Sequence, residues 1–562
     1  MAKKRKRKIW LYILAVVLIA IVGFIFYYRM VTRIEPPTEL DPKAMGFERE
    51  EANAGYYVHD KGWLRKNRLG LWEMYIEGSP LELGILHGLL AEELIKEQEI
   101  AFIDQLRVMI PSESYIRFLK YFTAWFNKDL DDYIIQEYLL EIYGVSAFAS
   151  DSFDFIGPNY DRILNYHAAH DIGHALQNLN LVKCTAFGVW DERSADRALL
   201  IGRNFDFFVG DAFAANKIIL FVNPDQGYKF ASITWGGMTG VVSGMNEQGL
   251  TVTLNSAKSD IPFGAKTPVS IIAREILQYA SNIDEAMKIA SSRQSFVSES
   301  FLIGSAKDHK AVVIEKSTDT TVLYDPDTNY IILTNHFQSD YFSGTELCME
   351  NKANETTVYR HDRVQELIDK TGVFSYQDAA RLLRDTKGLG GKDIGLGNEK
   401  AINQLIAHHS VIFKPEQQQM WISQHWGMDP YICYNLDSIF NINYYPAGQI
   451  FEEELMIGWD TNAFSSREEF YAYEKFRLRM EEIHKAIKNK QRLEKEEVFI
   501  TNLMNGNPEF YLVYSNIGKY YQMLEQYDEA LKYYKLALTK EVASATERKE
   551  IEERIEECSD ER

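Results

Sequence analysis

Cys184 stands in the run Lys183-Cys184-Thr185-Ala186-Phe187-Gly188, and Ile201-Gly202-Arg203-Asn204-Phe205-Asp206-Phe207 follows just downstream. A thiol is a poor nucleophile until a base takes its proton, and its unperturbed pKa is about 8.5. A free α-amine on the same residue, with a pKa of about 8, can act as that base. Such an amine exists only if the Lys183–Cys184 bond is broken. The chemistry on offer is acyl transfer, in which sulfur attacks a carbonyl carbon and holds the acyl group as a thioester. Cys348, Cys433 and Cys558 have no comparable neighbours and read as small buried hydrophobes. No CxxC pair occurs, which leaves zinc and thioredoxin-type motifs without support.

The texture of the chain changes at Cys184. From Gly55 to Lys183 the apolar spacing predicts mostly helix, with Ser79-Pro80 as the start of one that runs through Leu94-Ile95. After Cys184 the pattern is strand-like. Lys217 to Val222 ends in the turn Asn223-Pro224-Asp225-Gln226-Gly227, and Lys229 to Trp235 is a second strand. Val241 to Met245 and Leu250 to Asn255 flank Asn246-Glu247-Gln248-Gly249 as a hairpin. Helices are predicted at Val269 to Tyr279 and Ile283 to Ser292. Strands return at Ser300 to Ile303, Ala311 to Glu315, Thr321 to Tyr324 and Tyr330 to Thr334, and His409 to Phe413 with Gln419 to Ser423 reads as the last hairpin. Strands, paired helices and strands again suggest a layered α+β domain with helices stacked on sheets.

Several motifs in order resemble the peptidase C45 family, the penicillin acyltransferase-like N-terminal-nucleophile hydrolases related to the choloylglycine hydrolases. They are Glu77-Gly78-Ser79-Pro80-x3-Gly84-x2-His87-Gly88, Cys184-Thr185, Gly202-Arg203-Asn204-Phe205-Asp206, Gly244 to Leu250, and Leu333-Thr334-Asn335-His336. The resemblance runs from about Leu69 to Ser438. It implies an αββα four-layer sandwich and a chain that cuts itself between Lys183 and Cys184. It also implies roles. Arg203 favours the charged thiol, and Asp206 holds the new amine. Asn255 donates to developing negative charge, and Asn335 is the second catalytic asparagine. Arg360, with Arg363 as its rival, is the distal arginine. Read singly, Arg203 and Asp206 are an ordinary ion pair, Asn246 is a turn residue, and Asn255 and Asn335 cap strand ends. The shared order favours function. Lys183 departs from the glycine that precedes the cut in penicillin acyltransferase.

The N-terminus carries Lys3-Lys4-Arg5-Lys6-Arg7-Lys8 before an uncharged apolar run from Ile9 to Tyr28. As a helix that run spans about 30 Å, the thickness of a bilayer core. The basic cluster predicts a cytoplasmic N-terminus and an extracytoplasmic catalytic domain, periplasmic or at the cell surface. A cleaved signal peptide competes, but no small-x-small site follows the run and Arg29 to Arg33 is the wrong flank. The expected organisation is a basic tail (1–8), a transmembrane anchor (9–28), a linker (29–54) and a helical pro-region (55–183). A catalytic domain (184–460) and a tetratricopeptide-like helical region (466–562) complete it. The last rests on Gly518, Tyr521, Tyr527, Ala530, Tyr534 and Ala537, which follow the small/aromatic spacing of one helical hairpin.

A net charge of −20 argues against a nucleic-acid partner. His167, His170 and His174 have helical spacing but lack the companions of known zinc motifs, so they read as structural. Gly388-Leu389-Gly390-Gly391-Lys392-Asp393 fails the phosphate-loop pattern, because Asp393 replaces the Ser or Thr after the lysine. No cofactor or metal is expected. The expected partners are a small-molecule N-acyl amide substrate, the membrane through the anchor, and a protein that meets the C-terminal helices. Two readings compete with a membrane-anchored amidohydrolase or acyltransferase. One is a non-catalytic scaffold that recruits partners through its tail. The other is a secreted protease-like enzyme, for which nothing marks a peptide groove.

Overall fold

The strand Leu250–Ser256 is buried along its whole length, and its two faces meet different surroundings. Leu250, Val252 and Leu254 pack with Ile272, Ile276 and Leu277 of the helix Val269–Tyr279. By the two-residue period of a strand, Thr251, Thr253 and Asn255 face the other way, toward a second sheet. Burial on both faces is what the interior of a layered sandwich requires.

The computed structural model describes residues 2–110, 112–175, 183–207, 209–258, 264–441, 448–458 and 467–562. Among them an eleven-stranded sheet runs from Glu50–Asn53 at one edge to Thr321–Tyr324 at the other. Its neighbours pair antiparallel except Trp72–Gly78 with Ile218–Pro224, which are parallel. A seven-stranded sheet has the order Tyr330–Leu333, Thr185–Val189, Leu200–Asp206, Ala407–Lys414, Gln419–Ser423, Tyr431–Asn435 and Phe451–Ile457.

Three apolar layers hold the sheets and helices together. Met245, Leu302 and Val313 of the larger sheet meet Ile201, Leu333 and Val411 of the smaller one. Helices Pro80–Leu90, Gln136–Ser146 and Val269–Tyr279 cover the outer face of the larger sheet. Helices Thr357–Thr371 and Tyr376–Leu383 cover the smaller one through Val364, Ile368, Ala379 and Leu383. The fold is therefore α+β with an αββα order of layers, as expected. Gly84 allows one close approach in the outer layer. A Cβ there would come within 2.0 Å of the Glu141 carbonyl oxygen, so helix Pro80–Leu90 lies directly on Gln136–Ser146.

Two sequence expectations need correction. The stretch from Gly55 is not helical at first, because Tyr56–His59, Gly62–Lys66 and Trp72–Gly78 are strands of the larger sheet. Helix begins at Pro80, where the Glu82 carboxylate accepts from the Ser79 backbone N–H at 2.8 Å. The hairpin His409 to Ser423 is also not the last, since Tyr431–Asn435 and Phe451–Ile457 extend the sheet beyond it.

At the C-terminus, helices Arg467–Asn489, Glu496–Gly506, Tyr511–Met523, Tyr527–Leu538 and Ala545–Asp560 enclose a second core. Gly518 lets two of them close up, its α-carbon facing the Tyr534 ring where a Cβ would approach to 2.7 Å. This core also takes in Leu405, Trp426 and Met428 from the layered sandwich. Ser466, the expected first residue of the region, lies outside the described residues. The N-terminal helix Ala2–Val31 is long and apolar enough to cross a membrane from Ile9 to Val31.

Candidate active site

Cys184 lies next to the first residue of the strand Thr185–Val189, fully buried. The backbone N–H of Lys183 donates to the Asp206 carbonyl at 2.9 Å, which continues the pairing with Leu200–Asp206 up to the Lys183–Cys184 junction. Along Leu200–Asp206, Arg203 pairs with Ala186 and, by the two-residue period of a strand, shares a face with Ile201, which packs between the sheets.

Arg203 Nη2 is 3.4 Å from Cys184 Sγ. The same guanidinium donates to the Val242 carbonyl at 2.9 Å, to Ser243 Oγ at 2.6 Å, and to the Leu254 carbonyl. Four contacts fix it beside the sulfur in a planar array that a lysine does not reproduce. Ser243 Oγ in turn lies 2.9 Å from His409 Nε2, whose Nδ1 is 2.9 Å from His408 Nδ1. Burial holds both imidazoles well below their ordinary pKa, so this pair is neutral.

Arg360 approaches from the helix Thr357–Thr371. Its Nη1 donates to the Cys184 carbonyl at 2.6 Å and to Thr185 Oγ1 at 2.9 Å, and its Nη2 donates to Asn335 Oδ1 at 2.7 Å. Arg363 turns away, to Asp385 at 2.8 Å and Glu366 at 2.9 Å. Asn335 donates through Nδ2 to the Ser256 carbonyl and Oγ, each at 3.0 Å. Asn255 donates to the carbonyls of Leu333 at 3.3 Å and Thr334 at 3.1 Å, while its buried Oδ1 has no hydrogen-bond partner among the described residues. Among the described residues neither amide hydrogen-bonds Cys184 Sγ, and in this arrangement both donate to backbone or hydroxyl oxygens instead.

Asp206 is fully buried and accepts from Gln404 Nε2 at 3.4 Å. Burial raises its carboxyl to about 7, against the lowering pull of Arg360 and Arg203. Burial also raises the Cys184 thiol to about 11, which Arg203 only partly offsets and Asp206 adds to. Glu299 is buried with both carboxylate oxygens unpartnered among the described residues, and desolvation pushes its carboxyl well above the usual range.

The structure therefore brings Cys184, Arg203, Asp206, Asn335 and Arg360 into one connected network, with Asn255 on the strand Leu250–Ser256 of the larger sheet. It leaves Arg363 out. Asn246 accepts at Oδ1 from the N–H groups of Gln248 and Leu250, each at 3.0 Å, and so organises its own turn. Ser243, Ser256, Thr357, Gln404 and His409 join the network with no motif to announce them. His167 uses Nδ1 at the Ile163 carbonyl and Nε2 at the Thr239 N–H, at 2.9 and 3.0 Å. The side chains of His170 and His174 lie outside the described residues.

Comparison with known proteins places the chain. Residues 191–425 match the acyl-coenzyme A:6-aminopenicillanic acid acyl-transferase family, a segment that begins just after Cys184. An uncharacterized protein of Archaeoglobus fulgidus is 24% identical over 277 residues, 46% of this chain and 46% of that protein. Protein dcd1B of Dictyostelium discoideum is 22% identical over 279 residues, 47% of this chain and 53% of that protein. The chain thus spans about half the length of these relatives. Among solved structures, an N-acylethanolamine-hydrolyzing acid amidase ortholog of Caenorhabditis elegans aligns at 17% identity and a TM-score of 0.31, covering 42% of this chain and 93% of its own. Over residues 191–425, the chain is similar to the acyl-coenzyme A:6-aminopenicillanic acid acyl-transferase family.

Proposed function

We propose that this protein is a self-processing cysteine amidohydrolase or acyltransferase that cleaves a linear amide through an acyl-thioester on Cys184. The observation that carries the reading is the 3.4 Å contact between Arg203 Nη2 and Cys184 Sγ, with Asp206 and the Arg360–Asn335 pair gathered around the same residue. A buried thiol raised to about 11 is inert by itself. Cutting before Cys184 supplies an α-amine at the sulfur's own residue, and that amine is the missing base.

In turnover the α-amine takes the Sγ proton, and the sulfur attacks the substrate carbonyl carbon. The C–N bond breaks, and the leaving amine departs with the proton. Water or an amine then adds to the thioester carbonyl, the S–C bond breaks, and sulfur recovers its proton. Arg203 favours the thiolate, and Asp206 holds the amine. Asn255 and Asn335 are the amide donors for the oxyanion once their present carbonyl partners are exchanged for it.

The membrane reading adds a retained anchor. The end of the N-terminal helix is tied into the body: Tyr28 Oη donates to the Tyr121 carbonyl at 2.6 Å, and the Tyr28 ring stacks on Trp125 with centroids 6.1 Å apart. The helix Glu113–Phe126 also exposes Tyr115, Phe118 and Phe122, aromatic side chains suited to a bilayer surface beside the anchor. These contacts support an anchor that stays attached.

N-terminal sequencing and intact mass of the purified protein test the reading. Two associated pieces are expected, one beginning Cys-Thr-Ala-Phe, and Cys184→Ala should abolish both cutting and amide turnover. A fully active enzyme with the Lys183–Cys184 bond intact overturns it.

A further inference from the structure

Gln404 touches the atom on which a self-cleavage would develop charge. Its Nε2 donates to the Lys183 carbonyl oxygen at 3.1 Å and also lies 3.4 Å from Asp206 Oδ2. The side chain is buried, so water does not compete for either contact. Two neighbours hold it there. Asn403 donates to the Trp426 carbonyl at 2.8 Å and accepts from the Leu405 N–H at 2.9 Å. Leu405, at φ 55°, is buried in the core of the C-terminal helices.

The loop that carries Gln404 is gripped from outside as well. Asn507 pairs with the Leu396 backbone in both directions, at 3.0 and 2.7 Å. Asn398 donates to the Glu541 carbonyl at 2.8 Å, and Lys400 pairs with the Glu541 carboxylate at 2.7 Å. Glu399 of the same loop pairs with the Lys183 ammonium. One loop therefore holds residue 183 by both its side chain and its carbonyl, and the C-terminal helices hold the loop.

From this geometry we infer that Gln404 is the oxyanion donor of the cut at Lys183–Cys184, positioned by the C-terminal helices. The inference rests on the self-processing reading above. Cys184 Sγ forms a bond to the Lys183 carbonyl carbon, and the carbonyl π pair moves onto the oxygen that Gln404 already faces. The C–N bond then breaks as the oxygen pair returns. The thiol proton ends on the departing nitrogen, which becomes the Cys184 α-amine. Water adds to the thioester carbon, the S–C bond breaks, sulfur takes a proton, and Lys183 leaves with a carboxylate. An amide N–H aimed at the oxygen stabilises the charged stage of each step. Asn255 and Asn335 donate to other carbonyls in the uncut chain, so Gln404 is the side-chain amide engaged at this carbonyl.

The test follows freshly synthesised full-length precursor by intact mass over time and across pH, for wild type, Gln404→Ala and Gln404→Glu. Gln404→Ala should slow cutting by about 10²–10³-fold, the usual cost of a lost oxyanion donor. Gln404→Glu should be slow where its carboxylate is ionised. It should regain ground on wild type as pH falls, because a protonated carboxyl donates through O–H. A purely structural role predicts a constant deficit at every pH. A Gln404→Ala precursor that keeps pace with a cutting wild type overturns this inference alone, as does a Gln404→Glu deficit that ignores pH. The second arm decides the matter if the alanine variant misfolds. A wild type that never cuts overturns the self-processing reading and this inference together.

Discussion

Arg360 donates to the backbone carbonyl of Cys184 at 2.6 Å and to Asn335 Oδ1 at 2.7 Å, so one guanidinium ties the start of the Thr185–Val189 strand to a strand-end asparagine from the other side of the site. Arg363, one helical turn away, makes its pairs with Asp385 and Glu366 instead. The two arginines therefore predict different failures. A buried hydrogen bond from a charged group contributes about 1.5–3 kcal/mol, which is roughly 10- to 100-fold in rate if it is needed in the transition state. Arg360→Ala should cost at least that in turnover. Arg363→Ala should lower the melting temperature and leave turnover per folded molecule unchanged. The reverse pattern in kinetics and melting would assign the role to Arg363.

Asn255 presents a second, separable case. Its amide now donates to two backbone carbonyls and leaves a buried oxygen without a partner among the described residues. That is a poor arrangement for a purely structural asparagine, because an unmatched buried oxygen costs stability. Asn255→Ala should therefore fold well while turnover falls by about 10²–10³. A variant that loses stability but keeps its rate would return Asn255 to a structural role.

Asp206 predicts a pH effect on the uncut chain. Its carboxyl is raised from 3.8 to about 7 by burial, so between those values the native state keeps a proton that the unfolded chain has released. Its contribution is fully present below about pH 4 and is lost as pH rises through about 7. Trapped as Cys184→Ala, the precursor should lose stability over that window. Adding Asp206→Asn should flatten the loss, because a neutral amide does not titrate. Glu299 slopes in the same direction, so the readout is the difference between the two variants in melting temperature against pH. Parallel slopes would mean that Asp206 is solvated in the native chain.

Much of this was readable in the residues, and the gaps have physical causes. The hairpin around Asn246 to Gly249 announces itself because its turn chemistry is local, with Asn246 bonding its own neighbours. The strands Gly62–Lys66 and Trp72–Gly78 do not, because they contain charges that look exposed. Arg65 and Glu73 are in fact buried and paired at 2.9 Å, and Glu73 also accepts from Tyr434 Oη at 2.8 Å across the sandwich. Tyr434 is remote in sequence. Arg363 is a rival to Arg360 in the sequence for a similar reason, since its pairing with Asp385, further along the chain, is what takes it elsewhere. Gln404 carries no sequence signal, because its contact with the Lys183 carbonyl depends on a loop held by residues more than a hundred positions downstream, Asn507 and Glu541.

The topology of the chain gives the last prediction. Lys3 to Lys8 precede a helix, Ile9 to Val31, that is long and apolar enough to cross a membrane, and basic residues flanking a span are retained on the cytoplasmic side. The body follows that helix and is tied to its end by Tyr28 and Tyr121. On this reading the site lies outside the cytoplasm. Cytosolic acyl-coenzyme A does not reach it there, which favours water as the acceptor and an external amide as the substrate. Protease added to intact spheroplasts should degrade the C-terminal helices while sparing cytosolic markers. Protection of those helices until the membrane is broken would reverse the orientation, and with it the case for hydrolysis over transfer.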